Sequence, residues 1–132
     1  MRIVIDTNVL VSAILNNSKP RQLVLKLLEE HTVILSRQML AELSEVIARD
    51  KFTVNRAHVK RFLSDLTSMS KIVPDNPRFK ILLQDSDDDV ILNAAYTGKA
   101  DYIVTGDKHL LSLEKFKKTR IVNVALMLEV IG

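Results

Sequence analysis

The sequence predicts an α/β sandwich built on a mostly parallel sheet. Three observations carry that prediction. Short β-branched runs recur along the chain and are continuously apolar, as strands covered on both faces must be. Between them lie segments whose apolar residues repeat every 3.6 positions. The two kinds of segment alternate in order, as βαβ units require.

The first strand is Arg2–Ile5, where Ile3, Val4 and Ile5 follow one another. Val9–Leu15 reads as a helix, and Gln22–Glu30 as a second with Leu23, Leu27 and Leu28 on one face. Thr32–Leu35 is the next strand, after which Ser36 can cap a helix running to about Ala48. Asn55 to about Met69 is amphipathic and helical, and Lys71–Val73 is a brief strand stopped by Pro74. Residues 75–84 yield no element. Ser86 or Asp87 can cap a helix through Thr97, after which Gly98 ends it. Tyr102–Thr105 is a strand, Asp107–Leu113 a short helix, Arg120–Val124 a last strand and Ala125–Ile131 a terminal helix.

Size and composition narrow the function classes. A chain of 132 residues, 47% hydrophobic and 27% charged with three Gly and three Pro, suits one compact domain over 1–132. No repeat, linker or low-complexity segment interrupts it. The absence of cysteine excludes disulfides, thiolate zinc sites and thiol chemistry. No apolar run approaches the ~20 residues of a membrane span, and the first one is cut short by Asp6, so a soluble cytoplasmic protein is expected. The formal charge of +3 says little alone about nucleic acid.

The acids are more informative. In parallel α/β sheets ligands gather at the carboxyl ends of strands, near the point where strand order reverses. Asp6 ends the first strand, and Asp107 stands two residues past Tyr102–Thr105, with the Thr105 hydroxyl at the same edge. On a helical wheel Glu42 borders the apolar arc of Met39, Leu40, Leu43, Val46 and Ile47, whereas Glu45 points outward. In DSDDDVILNAA, Asp88 shares the arc of Ile91, Leu92 and Ala95, while Asp89 falls with Asn93 on the polar side. Each acid has an ordinary reading as a turn residue, a helix cap or a solvated position. Four converging on one sheet edge are harder to explain that way. Carboxylates held together repel unless a cation joins them, and their oxygens suit Mg²⁺ and Mn²⁺.

DTNVLVSAIL after the first strand, LAEL in a mid-chain helix, DSDDDVILNAA ahead of ADYIVTGD, and the closing strand and helix together resemble a PIN-domain protein. Among these the chain most resembles the toxin components of bacterial and archaeal type II toxin–antitoxin systems. The resemblance spans essentially the whole chain in order. It implies a three-layer α/β/α sandwich with a parallel sheet of four or five strands, and a ribonuclease dependent on Mg²⁺ or Mn²⁺. By motif, the catalytic and metal-binding acids would be Asp6, Glu42, Asp88 and Asp107, with Asn8 and Thr105 as supporting polar groups and Asp89 as the neighbour that competes with Asp88. Related sequences carry another acid after TGD, where this chain has His109. The resemblance further implies hydrolysis leaving a 5′ phosphate and a 3′ hydroxyl, homodimerisation, and an antitoxin partner.

RNA would have to approach an acidic pocket, and Lys19, Arg21, Arg37, Lys108 and the KFKK run at 115–118 are candidates for its phosphates. With 5% aromatics and no Trp, base stacking has little to build on. A phosphatase with a nucleophilic first aspartate wants a second acid two residues later, where Asn8 stands. The stronger rival is a PIN-like scaffold that binds RNA or protein without cutting.

Overall fold

The computed structural model describes residues 1–49, 55–76 and 86–132, and the side chains of all of these except 86 and 87. In chain order the elements are β1 (Arg2–Ile5), α1 (Thr7–Leu15), α2 (Lys19–Glu30), β2 (Thr32–Ser36), α3 (Arg37–Arg49), α4 (Arg56–Met69), β3 (Lys71–Val73), α5 (Ser86–Gly98), β4 (Tyr102–Val104), α6 (Lys108–Leu113), β5 (Lys115–Phe116), β6 (Thr119–Val122) and α7 (Val124–Ile131). Most of the stretch without an expected element, and Asp85 of the aspartate run, lie outside the described residues.

Among the described residues the sheet has six strands in the order β3-β2-β1-β4-β6-β5. The first five in that order are parallel, with Ile3 opposite Val33 and Tyr102 on its two sides. Only β5 is antiparallel, a two-residue partner of β6. The expected sandwich and mostly parallel sheet are present; β5 takes the strand number beyond the expected four or five. The right-handed rule for parallel crossovers predicts α1–α4, which connect strands leftward from β1, on one face and α5 and α6, which connect them rightward, on the other. Accordingly α1 packs on α2, α3 and α4, while α5 packs on β1 through β4. Strands covered on both faces explain why Ile3, Val4, Ile5, Val33, Ile34 and Leu35 are all fully buried.

Several element boundaries have local causes. Pro20 sits in the first turn of α2, where its missing N–H is no loss, so that helix starts at Lys19, earlier than its apolar period shows. Ser36 is both the last residue of β2 and the cap of α3, accepting a hydrogen bond from the Met39 amide at 3.2 Å. Asn123 caps α7 by accepting from the Leu126 amide at 2.8 Å, which ends β6 at Val122. No described helix is long and apolar enough to cross a membrane.

Candidate active site at the carboxyl edge of the sheet

The strand order reverses between β1 and β4, because the chain steps outward from β1 to β3 and then returns to β1's other side. Asp6 leaves β1 at that point. Its amide donates to the Val104 carbonyl at 2.9 Å, continuing the β1–β4 pairing by one bond. Its carboxylate then turns inward and caps α1, Oδ1 accepting from the Asn8 amide at 3.1 Å. From the neighbouring strand, the buried Thr105 hydroxyl donates to Asp6 Oδ2 at 2.7 Å. The same hydroxyl accepts from the Asp107 amide at 3.0 Å, which fixes its proton on Asp6. Asp107 in turn caps α6, accepting from the His109 amide at 2.7 Å.

A strand-end aspartate that is only 4% exposed is unusual for an ordinary turn residue. Burial pushes the Asp6 carboxyl above its usual range, against the Thr105, Asn8 and Thr7 hydrogen bonds that favour its charged form, and the nearby Asp107 charge pushes it further up. Asp6, Thr105 and Asp107 therefore form one connected group. Asn8 contributes its backbone amide, its side chain being exposed.

The other two acids come from the helices. Parallel topology brings the start of α5 to the carboxyl edge, and there Asp88 is 4% exposed while Asp89 is half-buried. Asp88 is thus packed in, as the wheel predicts, but the wheel's polar side is not solvent: Asn93, expected there with Asp89, is only 6% exposed, because α5 is covered over most of its girth between the sheet and α3. Asp89 offers its carbonyl to the Asn93 amide group at 2.7 Å. Glu42 is half-buried in the second turn of α3, with the Gln38 side chain 3.4 Å from its Oε1, and α3 touches α5. Among the described residues no three acidic or histidine side chains are grouped to hold a metal ion between them.

Sequence reasoning missed Asp75, which follows β3 and accepts from the Gln38 amide at 2.9 Å, tying that loop to the start of α3. No local pattern signals a cap supplied from so far along the chain. Among the basic candidates, Arg37 and Lys108 are exposed at the carboxyl edge, at the first residues of α3 and α6. Arg21 is committed elsewhere: its guanidinium donates to the Ala13 and Ile14 carbonyls at 2.7 and 2.8 Å, capping the end of α1. The 115–118 run lies before β6, at the amino edge of the sheet, opposite the acids.

Comparison with known proteins agrees with this architecture. A family model described as PIN domain matches residues 2–109. The uncharacterized protein MJ1680 of Methanocaldococcus jannaschii is 34% identical over 132 residues, spanning 96% of this chain and 84% of that protein. Among solved structures, a chain of VapBC2 from Rickettsia felis bound to a DNA fragment from their promoter superposes with a TM-score of 0.66 at 18% identity, over 93% of this chain and 98% of that one. PAE2754 from Pyrobaculum aerophilum superposes with a TM-score of 0.59 at 19% identity, over 98% and 88% respectively. Two structural neighbours share the fold, and the family match reaches from β1 through the Asp107 cap. The chain belongs to the PIN domain family.

Proposed function

We propose that this chain is a divalent-metal-dependent endoribonuclease, a single domain over 1–132 that hydrolyses RNA phosphodiester bonds as the cytoplasmic toxin of a toxin–antitoxin pair. The observation that carries the reading is the buried Asp6 at the strand-order reversal, held by Thr105 from the adjoining strand beside Asp107. Burying a carboxylate is unfavourable, and a fold retains one where its charge is used.

The donor set fits Mg²⁺ or Mn²⁺: every candidate is a hard carboxylate oxygen, and two of the carboxylates are buried. Asp6, Glu42, Asp88 and Asp107 would hold the cation. When bound, it supplies acidified water and charge neutralisation at phosphorus. The chain's own residues do the orienting. Thr105 and the Asn8 amide each hold one oxygen of the Asp6 carboxylate and so restrict its rotation. Asp107 is fixed by its α6 cap, Gln38 restrains Glu42, and Asp88 sits where amide dipoles favour an anion. Arg37 and Lys108 stand at the same edge to receive phosphates. No Ser, Cys or His nucleophile is required.

The dimer and the antitoxin are part of this proposal; the VapBC2 likeness, at the level of fold, supports looking for a partner chain. The rival reading is a PIN-like scaffold that binds RNA or protein without cutting. Cleavage of a labelled structured RNA decides between them, run with Mn²⁺, Mg²⁺ or EDTA beside Asp6→Asn and Asp88→Asn. We expect metal-dependent cutting that falls about 100-fold or more in either variant. Equal cutting by wild type and variants would overturn the site. RNA binding without cutting by any of them would establish the scaffold instead.

A further inference from the structure

Of the described non-glycine residues, three have left-handed backbone, and two are lysines: Lys99 at φ 54° and Lys117 at φ 56°. A β-carbon in that region crowds the backbone, and glycine or asparagine avoids the strain. Both lysines lie at the amino edge of the sheet, Lys99 in the turn from α5 to β4 and Lys117 in the turn from β5 to β6.

The two turns are stapled together. Thr119 Oγ1 donates to the Ala100 carbonyl at 2.7 Å in buried surroundings, and the Arg120 amide donates to the Asp101 carbonyl at 3.0 Å. On the hairpin Lys115 stands directly opposite Arg120, a like-charge pair that is unfavourable by itself. Lys99, Lys115, Lys117, Lys118 and Arg120 are all exposed there. The acids beside them are Asp101, whose carboxylate accepts from the Arg2 amide at 2.8 Å, and Glu114. The left-handed Lys99 closes α5 and the left-handed Lys117 closes the β5–β6 hairpin, so the fold accounts for both conformations. The cations gathered on these adjoining turns, with Lys115 opposite Arg120, repel one another, and an anion along the edge would offset that repulsion.

We propose that this amino-edge turn pair is a second RNA contact, gripping phosphates of a single strand whose scissile bond lies at the carboxyl edge. It deepens the ribonuclease reading and rests on it for the identity of the polyanion. The four residues of β6 separate the two edges by about 13 Å at the usual strand rise. Only an RNA long enough to round the sheet engages both. The cations span three adjacent strands at this edge, β4, β6 and β5, about 10 Å across, and following them around the sheet edge within so short a distance takes a flexible single strand rather than a stiff duplex. Recognition there is by charge, sequence-tolerant and sensitive to salt.

The test measures RNA binding by anisotropy in EDTA, comparing wild type with Lys99→Gln/Lys117→Gln/Lys118→Gln. For a strand of about 25 nucleotides we expect a loss of about tenfold or more near 0.1 M salt, and a slope of log affinity against log salt shallower by about 2. Binding of a strand of about 5 nucleotides, and its cleavage with Mn²⁺, should be unchanged. Loss of long-strand affinity with no cleavage by either protein would sink the nuclease reading and leave this contact standing. Equal long-strand affinity and slope, including no binding by either protein, would overturn the contact. Tighter wild-type binding to duplex DNA than to single-stranded RNA would overturn RNA as its occupant.

Discussion

At Asp6 two demands on one carboxyl group oppose each other. Burial favours the protonated acid, whereas the Thr105 hydroxyl and the Asn8 and Thr7 hydrogen bonds favour the anion; burial dominates and the folded-state pKa is raised. The folded protein therefore binds this proton more tightly than the unfolded chain does. Stability contributed by the protonated group is complete below the unfolded value of about 3.9 and is lost as pH rises through the folded one. Asp6→Asn removes that titration while retaining the shape. In chelator-treated buffer we expect the melting temperature of Asp6→Asn, minus that of wild type, to increase from about pH 3.5 upward and level off once Asp6 is fully ionised. The slope is the test, because a constant offset from the altered Thr105 hydrogen bond cancels. A difference that shrinks with rising pH would mean the carboxylate is held as a stabilised anion and would contradict the burial argument.

The end of α5 shows what the sequence could and could not specify about an element. The helix stops where Gly98 says it should, yet Gly98 is not the left-handed residue. That conformation falls on Lys99, closing a Schellman pair in which the Ala100 amide reaches the Ala95 carbonyl at 2.9 Å and the Lys99 amide the Tyr96 carbonyl at 3.2 Å. Gly98 answers a tertiary need instead: a Cβ there would lie 2.6 Å from Cγ2 of the fully buried Ile34 on β2. The stop signal was legible locally; its cause was not, because Ile34 is distant in sequence. Gly98→Ala should thus lower stability by about 1–3 kcal/mol through overpacking, while Lys99→Gly should raise it by about 0.5–1 kcal/mol by relieving the backbone. Urea midpoints at constant m check both. If Gly98→Ala were neutral, β2 would be able to yield at Ile34, and the close approach would not be what selects glycine.

Over the whole molecule, the alternation of continuous apolar runs with 3.6-period segments was enough to read the sandwich and the edge on which Asp6 and Asp107 fall. It could not show β5, since two residues carry no period, nor that the 115–118 lysines face away from the acids, since a charge run does not declare its sheet edge. Nor could it anticipate Arg21 spending its guanidinium on α1. The candidate acids come from separate segments: the ends of β1 and β4, the second turn of α3 and the start of α5. A cation bound by all four would tie together elements from both faces of the sheet. The hydrophobic core of Ile3, Ile5, Leu10, Leu27, Ile34 and Leu92 includes none of these acids, so the effect of binding is a measurable shift in melting temperature rather than the making of the core. With Mn²⁺ at ~100 times its dissociation constant, linkage gives about 2.7 kcal/mol, a rise in melting temperature of about 10 °C for a domain this size. Asp6→Asn should flatten that response, and Lys117→Gln/Lys118→Gln should leave it intact. An equal shift in Asp6→Asn would put the cation somewhere other than the strand-order reversal, whatever the RNA assay shows.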